Sequence, residues 1–237
     1  MPREKPVRRD TGSASVQYTP EHWLRLSALR KRAEQIMAAL ERQGLNTLVH
    51  GSLCRGDVSE NSDIDIYLPQ VVPSFSVEFA IQQGGFPIVH RELVHATPFH
   101  AIKAHIYLAD NTVVTLPLTA PAPIELEFYR FGGSLGREDL EAGRRVPGVD
   151  KRLVLVEPTE EGHVETAVIG NETITAKKVG VSLQIVRERE RVLMRRDEVG
   201  RTGVYMKRQL APDDTFEAVL KNIGDRDPVV RRRLRKG

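Results

Sequence analysis

The stretch HGSLCRGDVSENSDIDIYL, residues 50–68, decides the reading of this chain. An apolar approach, residues 45–49, leads into Gly51-Ser52, and ten residues later comes Asp63-Ile64-Asp65-Ile66. On a β-strand successive side chains point to opposite faces, so Asp63 and Asp65 share one face and Ile64 and Ile66 the other. Two carboxylates side by side repel unless a cation sits between them. The Gly-Ser turn offers small polar groups and backbone N–H donors. The combination fits a place that holds a metal-bound triphosphate.

Working outward, residues 1–18 are polar and charged and are expected to form a flexible arm. Thr19-Pro20 starts a helix, with Thr as N-cap and Pro at the first helical position. Trp23, Leu26, Ala33, Ile36 and Leu40 recur at helical spacing as far as Gly44, giving an amphipathic helix of about six turns. Arg25, Arg30, Lys31 and Arg32 are assigned to its wet face. Residues 45–50 and 62–69 read as strands, residues 75–83 as a short helix, and residues 103–108 and 112–118 as a hairpin turning at Ala109-Asp110-Asn111. The alternation in residues 124–131 reads as a further strand with Glu125 and Glu127 on one face. Residues 151–156 and 164–169 suggest a small hairpin.

The Gly-Ser, spacer and Asp-Ile-Asp-Ile pattern resembles the DNA polymerase beta-like nucleotidyltransferase superfamily, in its small prokaryotic and archaeal form. Arg55-Gly56 in the spacer, Ser62 before Asp63 and the long preceding helix fit as well, and the likeness covers residues 20–135. The resemblance implies an α+β fold, a mixed sheet with flanking helices. It also implies transfer of a nucleoside monophosphate from an NTP, ATP being the expected one, to a hydroxyl acceptor with release of pyrophosphate. Asp63 and Asp65 would be catalytic and would hold two Mg²⁺ ions, a hard cation that takes oxygen ligands and keeps several waters. Gly51, Ser52 and Arg55 would bind the phosphates. The family's third carboxylate has no clear counterpart. Thr115 stands where it would align, and Glu125 or Glu127 supplies it if the alignment shifts by one strand. Without it, the alternative is a catalytically weak, nucleotide-sensing DNA-binding regulator.

Residues 171–237 carry 17 Lys/Arg against 10 Asp/Glu, whereas the whole chain of 237 residues has a net charge of only +3. A local cationic excess favours a polyanionic partner. Within it, residues 175–186 resemble a helix-turn-helix: Ala176 lets two helices approach, Gly180 makes the turn, and Ser182 caps the second helix. Leu183, Val186 and Leu193 would form its buried stripe, while Gln184, Arg187 and Arg191 would reach nucleic acid. A hairpin over residues 198–210, with Arg201 at its tip, resembles a wing. The expected organisation is therefore an arm (1–18), a nucleotidyltransferase domain (19–135), a linker with a small hairpin (136–170) and a small winged helix-turn-helix domain with a basic tail (171–237).

Cys54 is the one cysteine, which excludes an intrachain disulfide and a cysteine-cluster zinc site. No run of eighteen apolar residues suggests a membrane span, and the N-terminus lacks a secretory apolar core. A cytoplasmic protein with no membrane partner is expected.

Overall fold

The computed structural model describes residues 6–10, 12–200 and 203–235. Its elements in chain order begin with β1 (Ser13–Gln17), α1 (Pro20–Glu41), β2 (Leu48–His50), α2 (Ser52–Arg55), β3 (Ile64–Tyr67) and α3 (Ser74–Gln83). Next come β4 (Ile88–His95), β5 (Ile102–Leu108), β6 (Thr112–Pro117), α4 (Pro123–Phe131), β7 (Ser134–Leu135), α5 (Arg137–Glu141) and β8 (Gly148–Val149). Then follow β9 (Val154–Thr159), β10 (Gly162–Ala167), α6 (Glu172–Val179), α7 (Leu183–Val199), β11 (Met206–Gln209), α8 (Phe216–Arg226) and α9 (Pro228–Leu234). The fold is mixed α and β, as the α+β expectation requires.

The chain divides into two compact units, each discontinuous in sequence. The first comprises residues 1–31, 49–62 and 126–202, and the second residues 32–48, 63–125 and 203–237. These do not follow the linear boundaries read from the sequence, because 203–237 lies in the unit that holds Asp63 and Asp65.

The first unit contains an antiparallel sheet in the order β1-β10-β9-β8. Residues 13–17, expected to be part of a mobile arm, are therefore a strand. Each residue of β1 faces one of β10, from Ser13 opposite Thr166 to Gln17 opposite Gly162. In SASVQ only Ala14 and Val16 alternate with polar residues, a weak signal for this edge strand, and the partner ladder supplies its backbone hydrogen bonds. Val154, Leu155 and Val156 of β9 and Ile185, Val186 and Leu193 of α7 are buried. The expected hairpin at 151–169 is present as β9 and β10.

The second unit contains a mixed sheet in the order β11-β4-β5-β6-β3. The expected hairpin is β5 and β6, antiparallel, turning at Asp110 and Asn111, both with positive φ. Asn and Asp tolerate that left-handed geometry better than other side chains. β3 runs parallel to β6. One sheet face is apolar: Ile64, Ile66, Leu93, Ile102, Ile106, Val114 and Leu116 are buried, as are Ile36, Met37 and Leu40 of α1 and Val77 and Ile81 of α3.

Arg30 departs from its expected wet face. It is buried, and its Nε and Nη2 both donate to the Leu53 carbonyl at 3.0 and 2.7 Å. A buried guanidinium is tolerated when its donors are matched this way.

Candidate functional site

The strand β3 presents its two kinds of side chain as the alternation demands. Ile64 and Ile66 are buried, Asp65 is half-buried, and Asp63, one residue before the strand, is exposed. Cα register sets what lies beside them on the polar face. Asp65 is opposite Val113, and Tyr67 is opposite Thr115. The polar face of β6 next to the aspartates thus carries Val113 and Thr115, neither an acid. Two carboxylates on an accessible strand still suit Mg²⁺, which needs few protein oxygens and retains water.

The polar face continues across β5 and β4. Val113 is opposite Tyr107, and Thr115 is opposite His105. His105 in turn faces Glu92, and Tyr107 faces His90. Glu92 is buried and accepts from the Tyr107 hydroxyl at 3.0 Å. Lys207 Nζ of β11 lies 3.0 Å from the same carboxylate, and His90 Nε2 lies 3.8 Å from it. The His90 and Tyr107 rings stack at 4.0 Å with 11° between their planes.

Charges tune this cluster. Burial acts to raise the Glu92 carboxyl, but hydrogen bonds from Lys207 and Tyr107 outweigh it and hold the group below its usual range. Burial, the Glu92 carboxylate and the Asp65 charge push the Tyr107 hydroxyl up to about 12. Burial first, and then the Lys103 charge, brings His105 down to about 4, so its ring is neutral at pH 7. Its Nδ1 lies 2.9 Å from Thr115 Oγ1. Nothing in the linear sequence groups Glu92, Tyr107, His90 and Lys207 together. Their local trace is two separate alternations, His-x-Glu at 90–92 and Lys-x-His-x-Tyr at 103–107.

In the first unit, Gly51 has φ +89°, a conformation that favours glycine, and it leads directly into α2. Its N–H donates to the Gly133 carbonyl at 2.9 Å. The Ser52 hydroxyl donates to Ser62 Oγ at 3.3 Å, and Ser62 Oγ accepts from the Ser59 N–H at 2.8 Å. The spacer is thus folded back on Ser52 by its own serines. Arg55, expected near a triphosphate, is buried. Its guanidinium donates to the Gly132 carbonyl and pairs with Asp57 at 2.9 Å. Cys54 is buried as well. Its thiol donates to the Val49 carbonyl at 3.1 Å, and burial pushes its pKa up to about 12.

Residues 123–131 form the helix α4 and not the expected strand. Pro123 opens the helix, and Glu125 at its third position reaches back to the Ala122 N–H at 3.0 Å, half of a capping box. On a helix a spacing of two turns side chains to nearly opposite sides, so Glu125 and Glu127 do not share a face. Glu125 is buried and also accepts from the Ala101 N–H at 2.9 Å. Glu127 accepts from the Ser182 N–H at 3.1 Å and from the Ser182 hydroxyl.

The helices α6 and α7 lie where expected. Gly180 ends α6 in the left-handed region, and the Ser182 side chain caps α7 by accepting from the Ile185 N–H at 3.3 Å. Ala176 is buried, and Ile185 takes the core place expected of Leu183, which is half-buried. Gln184, Arg187 and Arg191 are exposed along one stripe. Arg201 lies outside the described residues. Among the described residues of the expected wing hairpin, 198–199 are helical and β11 pairs antiparallel with β4. The backbone bonds Tyr205 N–Ala96 O and Leu210 N–Arg91 O extend that ladder at both ends.

Among the described residues, no group of three or more His, Cys, Asp and Glu side chains is arranged to hold a metal ion. Among the same residues, no helix is long and apolar enough to cross a membrane. No family model, curated protein or solved structure matches the chain.

Proposed function

We propose that the chain is a nucleotidyltransferase of the polymerase beta-like kind, moving a nucleoside monophosphate from an NTP, ATP in the first instance, to a hydroxyl acceptor. The observation that carries the reading is the strand with Asp63 and Asp65 turned outward and Ile64 and Ile66 buried, ten residues after Gly51-Ser52. Asp63 and Asp65 would hold Mg²⁺, which when bound neutralises phosphate charge and stabilises the attacking and leaving oxygens. Gly51, with no side chain, and the short Ser52 hydroxyl leave room for a phosphate to approach the backbone. Arg55 has no part in this proposal, since Asp57 and the Gly132 carbonyl engage its guanidinium.

A second reading, nucleotide binding without turnover coupled to DNA binding, is favoured by one observation. Glu125 and Glu127, the candidates for a third carboxylate, accept from backbone N–H groups, and Val113 and Thr115 stand beside the aspartate strand. Incubation with each α-labelled NTP, Mg²⁺ and nucleic-acid, protein or small-molecule acceptors separates the two. Label transferred to an acceptor, lost in Asp65→Asn, supports the transferase. Metal-dependent NTP binding with no transfer to any acceptor supports the sensor.

A further inference from the structure

We propose that the exposed face of α9, with the adjoining end of α8, is a docking surface for a nucleic-acid strand, and that this surface, and not α7, makes the principal contact. The sequence of α7 carries Arg187, Arg189, Arg191, Arg195 and Arg196 against Glu188, Glu190, Asp197 and Glu198, a nearly balanced helix. One of its cations is withdrawn from solvent, with the Arg189 guanidinium lying 4.8 Å over the Phe128 ring. By contrast α9, PVVRRRL, has three arginines and no acid of its own, and one of the three, Arg233, is drawn toward Glu125 at 4.0 Å.

The fold separates the charges of this C-terminal segment. Three of its acids are engaged in holding it together. Asp227 caps α9, accepting from the Val229 and Val230 N–H groups at 2.8 and 3.4 Å and from the Tyr205 hydroxyl at 2.9 Å. Glu217 accepts from the Ser74 N–H and hydroxyl at 2.9 and 2.8 Å, and Asp214 from the Ala211 N–H at 2.9 Å. Arg232 of α9 and Arg235 just after it are left facing water with Lys221 and Arg226 of α8, and Arg231 is exposed beside them, whereas Arg233 donates to the Ala120 carbonyl and lies 4.0 Å from Glu125. Asp213 and Asp225 are the remaining exposed acids without such a role.

The two helices are held against each other. Val230 is buried opposite the arginine face, and Gly224 lets Leu234 close against α8, since a Cβ there would lie 2.7 Å from Leu234 Cδ1. Arg231 ties the two helices by donating to the Gly224 carbonyl at 2.9 Å and to the Asp225 carbonyl. The patch of exposed cations, Arg232 and Arg235 with Lys221 and Arg226, matches a phosphate backbone, which binds by charge and releases counterions. The same unit carries Asp63 and Asp65. A nucleic-acid strand is therefore the acceptor class favoured for the proposed transfer, and that last step alone rests on the proposed function.

The test measures binding of the full chain to a labelled single-stranded RNA by fluorescence anisotropy, without NTP, across a salt series. The double variant Arg232→Glu/Arg235→Glu should weaken binding at least about tenfold and make the slope of log K against log salt shallower by about 1.4. Arg187→Glu/Arg191→Glu on α7 should change Kd by less than about twofold on the same argument. Arg232→Lys/Arg235→Lys, which keeps the charge, should bind nearly as the wild type does. The proposal is overturned if the α7 variant loses binding and the α9 variant does not, or if the Lys variant is as weak as the Glu variant. It is equally overturned if the wild type binds phosphatidylserine vesicles but no RNA, or binds neither. Binding is read without turnover, so its failure is distinct from a failure to transfer nucleotides.

Discussion

His105 sits on the polar face of β5, largely buried, with its folded-state pKa down at about 4 against an ordinary 6.5. Between those values the unfolded chain binds a proton that the folded chain refuses. Stability therefore falls as pH drops from about 6.5 to about 4 and is unaffected by this residue above that window. The full effect is at most about 3.4 kcal/mol. Urea midpoints at several pH values should show that slope in the wild type and lose most of it in His105→Gln; equal slopes would contradict the assignment. Arg55 gives a second residue-level expectation. It is buried with Asp57, so Arg55→Ala leaves a carboxylate unpaired and should cost about 3–5 kcal/mol in chemical unfolding. A loss under about 1 kcal/mol, the scale of an exposed pair, would place the guanidinium in solvent. Cys54 should resist alkylation in the native chain and react in denaturant, because its buried thiol is protonated at pH 7. Rapid native alkylation would contradict that burial.

The elements show which signals in a sequence are local. The helix α1 was legible because Pro20 and an apolar stripe repeat one message over 22 residues. The strands β5 and β6 were legible because each alternates and an Asp-Asn turn joins them. The helix α4 was not. Ile124, Leu126 and Phe128 alternate with Glu125 and Glu127, which imitates a strand, while the deciding groups are Pro123 and the Glu125 cap at one end. The strand β1 escaped notice because its stability comes from β10, far along the chain. That pairing is tight at Gly162, where a Cβ would stand 1.9 Å from the Val16 carbonyl oxygen. Gly162→Ala must push β1 from its partner and should destabilise by about 1–3 kcal/mol in thermal or urea unfolding. An unchanged midpoint would mean that β1 is not paired there. The helices α8 and α9 carried a readable code, with Thr215 and Asp227 as caps and Phe216, Val219, Leu220 and Ile223 at helical spacing. The density of arginines drew the reading toward a tail instead.

For the whole molecule, order along the chain was a poor guide to what folds together. The two units interleave segments from all parts of the sequence, and residues 203–237 join the unit of Asp63 and Asp65. The pairing of β11 with β4 is one physical reason: an edge strand takes its partner from whatever ladder is open, wherever it lies in the sequence. Of the candidate site, the aspartate strand and the Gly-Ser turn were legible because their chemistry is written in adjacent residues. The Glu92, Tyr107, His90 and Lys207 cluster was not, because it is assembled from three strands and only their register brings those side chains to one face. Both functional readings share one claim, that Asp63 and Asp65 hold a metal-bound nucleotide. Calorimetric titration of ATP into the chain, with Mg²⁺ and with EDTA, tests it directly. The account predicts binding in Mg²⁺ that disappears in EDTA and weakens by on the order of 10²-fold in a folded Asp63→Asn/Asp65→Asn variant, the scale of losing a preorganised electrostatic group, here the carboxylates that hold the metal. Binding that is indifferent to Mg²⁺ and to both substitutions, or no nucleotide binding by the wild type, would contradict it.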